Sequence, residues 1–187
     1  MVVHPDQQLV ETFIEVDAEA PPNALRGGST ASVTLRIGSK LFFANAGDSM
    51  TVLARQTSSE EDFEIVYQTR KDKAHLPDER ERIEKLGGKI HIPKDFPNGS
   101  RVIVYSVAAI PAEPIGLAMS RSIGDWEWGL IGVIPDPIVD VVPIGADEDI
   151  FLMAASDGVW DLRKPQFYMK RFGPAALNHG SPLDILI

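Results

Sequence analysis

Residues Ile150 to Asp161, reading Ile-Phe-Leu-Met-Ala-Ala-Ser-Asp-Gly-Val-Trp-Asp, constrain the fold more than any other stretch. Four large apolar residues in succession, without alternation, predict a strand buried on both faces. The run tapers through Ala154, Ala155 and Ser156 and then meets Asp157-Gly158. Asp157 therefore stands where a buried strand ends. Glycine at 158 allows a sharp turn without a Cβ penalty, and a helical turn begun there places Asp157 and Asp161 four apart on one face. Two carboxylates aimed at one point repel unless a cation or a proton lies between them, so the pattern points to a divalent metal held by oxygen ligands. The same Ser-Asp-Gly also reads as an ordinary turn with a helix N-cap.

Composition narrows the possibilities. With 187 residues, 44% of them hydrophobic and 24% charged, the chain has the size and make-up of one ordinary globular domain. A net charge of -9 argues against nucleic acid as a partner, because phosphate backbones need neutralising Lys and Arg, and it suits cation binding. The sequence has no cysteine, so a metal here must use oxygen or imidazole ligands. His4, His75, His91 and His179 are scattered with no close pair, which argues against zinc. No apolar run approaches the ~20 residues of a membrane span, and Met1 is not followed by a signal-peptide pattern. Cytosol or nucleus is the expected location, with no membrane partner.

In chain order, Leu9, Val10, Phe13, Ile14 and Val16 follow a helical period after Pro5-Asp6, with Asp6 as the expected cap. Ala18 to Gly28 reads as a loop. Ala31, Val33, Leu35 and Ile37 alternate with polar residues, and the turns Gly38-Ser39 and Gly47-Asp48-Ser49 then predict a three-stranded antiparallel meander through Leu41 to Ala46 and Met50 to Ala54. Its second turn repeats the opening pattern: an apolar strand tapers to Ala44, Ala46 and Gly47 and ends in Asp48, the small residues leaving room for an ion. Gly-Asp-Ser is equally a common hairpin turn. A short strand is expected at Phe63 to Tyr67. Pro77 and Gly87-Gly88 delimit a helix whose charges read as a solvated face, with Ile83 and Leu86 inward. Strands are expected at Lys89 to Ile92 and within Arg101 to Ile110, and an edge strand after Pro135-Asp136-Pro137. Gly116 to Asp125 has no clear period, and the tail after Asp161 carries Pro174 and Pro182 and predicts no element.

Six motifs in this order resemble the metal-dependent protein phosphatases of type 2C. They are Gly28-Ser29-Thr30-Ala31, Ala44-Asn45-Ala46-Gly47-Asp48-Ser49, the helix from Glu81-Arg82-Ile83 to Gly87-Gly88, Leu117 to Asp125, Gly132 to Pro137, and Ala155 to Asp161. The likeness covers roughly residues 8 to 163. It implies an α+β fold, a sandwich of two antiparallel sheets flanked by helices. It also implies hydrolysis of phosphoserine and phosphothreonine in phosphorylated protein substrates, with Mn2+ or Mg2+ as cofactor. Carried over by position, Asp157 matches the acid that binds the catalytic metals, and Asp48 and Asp161 match acids that hold a further metal beside it. Two such ions lower the pKa of a shared water from ~15.7 towards ~7, so that hydroxide can attack phosphorus without a nucleophilic side chain.

Departures from the family pattern set further expectations. The phosphate-gripping arginine, the Glu-Asp pair and the Asp-Gly-His-Gly-Gly turn of the family do not occur in these residues. Met50 stands where an arginine follows Gly-Asp-Ser, and Asp184-Ile185 is the nearest match to a late Asp-Asn pair. The chain thus reads as one domain over residues 1 to 187, shortened at its start and at its end, with binding expected to outlast turnover. The alternatives are a non-catalytic phosphatase-like interaction module and an unrelated acidic β-rich binding protein. The leading reading expects Asp48, Asp157 and Asp161 to gather at one end of the sheets, with Ala44, Ala46, Ala155 and Ser156 lining the approach.

Overall fold

A computed structural model of the chain describes residues 4–19, 27–57, 62–105, 114–145 and 150–179. It divides into two compact units, one formed by Met1–Ala31, Ala44–Asp48 and Lys71–Val139, the other by Ser32–Phe43, Ser49–Arg70 and Asp140–Ile187.

In the first unit, helix α1 spans Pro5–Ala18. Pro5 opens it because a missing N–H costs nothing in the first turn. Asp6 does not cap it; the N-cap is His4, without a side-chain bond, and Asp6 sits in the first turn, where a carboxylate favours the helix dipole. Phe13 and Leu9, four apart, form its inner face against Ala31, Ala44, Ala46, Ile123 and Val139. Ala44 and Ala46, expected to make room for an ion, are instead small because a helix packs on them. Ile14 and Val16 are 41% and 51% exposed, so the buried stripe is narrower than the periodicity implied. Helix α2, Pro77–Lys85, buries Ile83, while Leu86, expected inward, is 52% exposed. Strands β1 (Gly28–Ser29) and β9 (Ile123–Gly124) pair antiparallel. Strands β6 (Lys89–His91), β7 (Arg101–Tyr105) and β8 (Pro114–Leu117) form an antiparallel sheet in that order. Its inner face, Ile90, Val102, Val104 and Leu117, packs on Ile83 of α2 and on Trp128 of the short helix α3, Trp126–Gly129.

The second unit holds two facing sheets. Strands β2 (Ala31–Ile37), β3 (Lys40–Ala46) and β10 (Ile138–Pro143) give a sheet of order β10-β3-β2; β4 (Met50–Gln56), β5 (Phe63–Gln68) and β11 (Ile150–Ala155) give one of order β11-β4-β5. Leu41 and Phe43 of β3 meet Leu53, Val66 and Tyr67 of the other sheet in one apolar layer, with the Phe43 and Tyr67 rings 4.6 Å apart. Of the expected meander, β2 and β3 pair as neighbours, but β3 and β4 do not, because they belong to different sheets. Every residue from Leu41 to Ala54 is buried, and a chain covered on both sides at both strands is satisfied by crossing between sheets rather than folding back beside itself. The α+β class and the antiparallel sheets agree with expectation.

The strand expected to be buried on both faces is not the one at 150–155. Phe151 is buried, but β11 is a terminal strand and Leu152 is 37% exposed. The doubly covered strands are β3 and β4; in β4, Leu53 faces the inter-sheet layer while Met50, Val52 and Ala54 face helix α5, Pro165–His179. That helix forms where no element was expected, despite Pro174 in its interior. Tyr168, Met169 and Phe172 supply its buried stripe, and Gly173 lets the helix lie on the Phe63 ring, which an added Cβ would meet at 2.5 Å. The expected strand at Arg101 to Ile110 ends at Tyr105. Residues 106–110, and Asp184 with the tail around it, lie outside the described residues.

Candidate metal centre

Asp157 opens helix α4, Asp157–Trp160, at the end of β11. Asp161 closes it, donating its backbone N–H to the Asp157 carbonyl at 2.8 Å. The structure therefore places this pair one helical turn apart, as the spacing implied. Asp157 is half-buried and Asp161 exposed. The turn is anchored by Trp160, whose indole Nε1 donates to the carbonyls of Met50 and Ala155, both at 2.8 Å. Tyr168 of α5 stacks edge-on against that indole, centroids 5.5 Å apart, and its hydroxyl donates to the Val159 carbonyl at 2.7 Å. An indole, a phenol and a strand end thus hold the backbone that presents two carboxylates.

Asp48 belongs to the other unit and is 3% exposed. Its turn is tightly determined. Gly47 takes φ 107, and an added Cβ there would lie 2.4 Å from Thr30 Cγ2, so only glycine fits. The Gly47 N–H donates to Asp72 Oδ2 at 3.0 Å, the Asp72 N–H returns a bond to the Gly47 carbonyl at 2.9 Å, and Asn45 Nδ2 donates to the same carbonyl at 3.0 Å. The Asp48 carboxylate accepts from the buried ammonium of Lys73 at 2.5 Å, and Lys73 Nζ also donates to the Ala118 carbonyl at 3.2 Å. Asp48 thus has a buried cationic partner within its own unit.

Asp72 is tied in turn to a buried charge network that sequence reasoning missed. The Ser120 N–H donates to the Asp72 carbonyl at 3.0 Å. Glu79 of α2 is 0% exposed; its Oε1 accepts from Arg121 Nε (3.0 Å) and Nη2 (2.7 Å), its Oε2 from Arg82 Nη2 (2.7 Å) and Ser120 Oγ (2.6 Å). Arg82 Nε and Arg121 Nη1 also donate to the carbonyls of Gly132 and Asp136. The charge run on α2 is therefore only half a solvated face: Arg80 and Glu84 pair in solvent, while Glu79 and Arg82 turn inward. Nothing in the helix alone distinguishes Glu79 from its neighbours, since its partner Arg121 lies 42 residues away in a stretch without period.

A second acidic group, Asp17, Asp125 and Glu127, stands elsewhere in the first unit. Asp17 accepts from the Gly124 N–H at 2.6 Å and from the Trp126 indole at 3.2 Å. Asp125 sits in the left-handed region at φ 53; burial raises its carboxyl, and the charges of Glu127 and Asp17 raise it further.

Hard carboxylate oxygens suit Mg2+ and Mn2+, and Mg2+ is commonly held by one or two protein carboxylates with water and substrate phosphate completing the shell. Asp157 and Asp161 fit that chemistry. Among the described residues no group of three or more His, Asp or Glu side chains converges as a ready metal cradle.

The family model of protein phosphatase 2C matches residues 3–169. The chain belongs to the protein phosphatase 2C family. Among curated phosphatase 2C relatives, probable protein phosphatase 2C 12 of Oryza sativa subsp. japonica is 39% identical over 162 residues, covering 83% of this chain and 39% of that protein. Probable protein phosphatase 2C 41 of Arabidopsis thaliana is 34% identical over 161 residues, 83% of this chain and 44% of that protein. The chain thus spans about two fifths of the length of these phosphatase 2C relatives. Among solved structures, a serine-threonine phosphatase 2C from Toxoplasma gondii superposes with a TM-score of 0.70 at 20% identity, covering 97% of this chain and 55% of that one. A C. elegans sex-determining protein gives a TM-score of 0.53 at 21% identity, covering 86% of this chain and 41% of that one. The phosphatase 2C fold expected from the six motifs is thereby established.

Proposed function

We propose that the chain carries the Asp157–Asp161 part of the metal site of a protein phosphatase that acts on phosphoserine and phosphothreonine in protein substrates, with Mn2+ or Mg2+ held by those two carboxylates. The observation that carries this reading is the match to the phosphatase 2C family model across a stretch that includes the rigid Asp157–Asp161 turn. A bound divalent cation would supply positive charge to phosphoryl oxygens and acidify a water. The chain's own contribution is positional. The anchored indole of Trp160 holds the backbone of the Asp157–Asp161 turn at the end of β11, so both acids start from a fixed turn. Asp48 is proposed as a further metal carboxylate, which requires it to leave Lys73.

The Lys73–Asp48 pair also favours a second reading, a phosphatase-like module that binds phosphoproteins without turning them over, because that carboxylate is already neutralised. A phosphothreonine peptide with neutral flanks, followed by fluorescence anisotropy, tests the proposal. Binding to residues 1 to 187 should require both Mn2+ and the phosphate, should vanish with chelator, and should be lost in Asp157→Asn. Phosphate release by this polypeptide is expected to stay near background. Equal binding of the unphosphorylated peptide, or binding indifferent to Mn2+, would contradict the proposed function. Rapid Mn2+-dependent release would show that carboxylates other than the family's bridging aspartate complete the site.

A further inference from the structure

The sheet β6-β7-β8 has a second face that no apolar cluster of the described residues covers. Residues directly opposite one another across an antiparallel pair share a face, so the pairs Lys89–Ile103, His91–Arg101, Ile103–Gly116 and Tyr105–Pro114 place these side chains together, away from Val102 and Val104. Lys89, His91, Arg101 and Tyr105 are all exposed. The Lys89 ammonium lies 5.3 Å from the centroid of the Tyr105 ring. Arg101 Nη1 donates to the Gly116 carbonyl at 3.2 Å, and its stem lies flat on Gly116, where an added Cβ would come within 2.9 Å of Arg101 Cδ. Among the described residues no carboxylate pairs with Lys89, His91 or Arg101.

A chain with 27 acidic against 18 basic residues repels anions in general, so a face that carries Lys89 and Arg101 beside His91, with no acid among the described residues of its three strands, is a local exception. We propose that this outer face is a docking surface for an Asp/Glu-rich segment of a partner protein. The arginine offers a planar fork suited to carboxylate, already oriented by its bond to Gly116, and the lysine offers a point charge held over an aromatic ring. Alternate positions on one strand lie ~6.6 Å apart, which matches alternate side chains of an extended peptide laid along β7. The acidity of the occupant follows from charge complementarity, and the surface owes nothing to the metal site.

The test is fluorescence anisotropy of a labelled alternating Glu-Ser decapeptide against its Gln-Ser counterpart, in chelator so that no metal contributes. The Glu-Ser peptide should bind and the Gln-Ser peptide should not, with affinity falling as salt rises from about 0.05 to about 0.3 M, because the contacting charges are solvent-exposed. The Lys89→Glu/Arg101→Glu variant should bind at least ~10-fold more weakly, and the neutral Lys89→Gln/Arg101→Gln variant, which serves where charge reversal impairs folding, should also bind more weakly. Circular dichroism checks that each variant is folded. Equal binding of both peptides, unchanged binding by folded variants, or a clear preference for a single-stranded oligonucleotide over the Glu-Ser peptide would overturn the assignment.

Discussion

Replacing Glu79 with alanine is expected to remove about 3–5 kcal/mol of folding stability, the range for deleting one partner of a buried ionic cluster. The size follows from what is left behind. Without the carboxylate, the side chains of Arg121 and Arg82 and the Ser120 hydroxyl lose the acceptor they share, and Arg121, 9% exposed, keeps only the Asp72 carboxylate at 4.0 Å as an ionic partner. The damage should spread to the Gly47–Asp48 turn, because Asp72, which holds that turn, is bonded to Ser120. Burial by itself would raise the Glu79 carboxyl, but hydrogen bonds from Arg82, Arg121 and Ser120 and the charge of Arg121 outweigh it and hold the group at about 2. A carboxyl whose folded pKa is depressed stabilises the fold above its unfolded value and loses that contribution as pH falls towards its folded value. The window here is from about 4.5 down to about 2, and the contribution is on the order of 2–3 kcal/mol. Urea unfolding at neutral pH and near pH 3 checks both statements. The natural chain should lose more stability on acidification than Glu79→Gln, which cannot titrate there. A Glu79→Ala loss under about 1 kcal/mol, or parallel acid profiles, would show that the network is solvated rather than buried.

Trp160→Ala should cost about 3–5 kcal/mol, as expected for emptying the site of a buried aromatic ring. Trp160 is 6% exposed and packs with Met50, Val52 and Tyr168. Its indole also satisfies the carbonyls of Met50 and Ala155, which are register partners at the end of the β4–β11 ladder. Trp160→Phe keeps most of the ring volume and removes only the donor, so its loss should be smaller, on the order of 1–3 kcal/mol for carbonyls left unpaired. Urea midpoints give the ordering, natural chain above Trp160→Phe above Trp160→Ala. An alanine variant within about 1 kcal/mol of the natural chain would mean that the Asp157–Asp161 turn is held by something other than its indole.

The parts legible in the sequence are those decided locally. Pro77 and Gly87 bracket α2 because one lacks an N–H that a first turn does not need and the other accepts φ 84 after the helix. The spacing of Asp157 and Asp161 fixed their relation through a single helical turn. What failed was long-range. Leu41 to Ala46 and Met50 to Ala54 have turn chemistry between them that fits a hairpin, and only the apolar layer joining Phe43 to Tyr67 decides that they lie in facing sheets. Ala44 and Ala46 are small for a helix rather than for an ion, which no window around them could reveal. Helix α5 was hidden by Pro174, whose missing bond is offset by the burial of Tyr168, Met169 and Phe172 against β4 and β5. The Lys73–Asp48 and Glu79–Arg121 pairs join residues 25 and 42 apart, and carry no sequence signature beyond charge.

The most direct measurement of the central claim is the line broadening of backbone amide resonances as Mn2+ is added below one equivalent. If Asp157 and Asp161 hold the cation, the amides of Asp157, Gly158 and Asp161 should broaden first, and the effect should disappear in Asp157→Asn/Asp161→Asn while the remaining spectrum is retained. Broadening that begins at Asp17, Asp125 and Glu127, or that persists unchanged in the double variant, would contradict the proposed metal centre and the functional reading built on it.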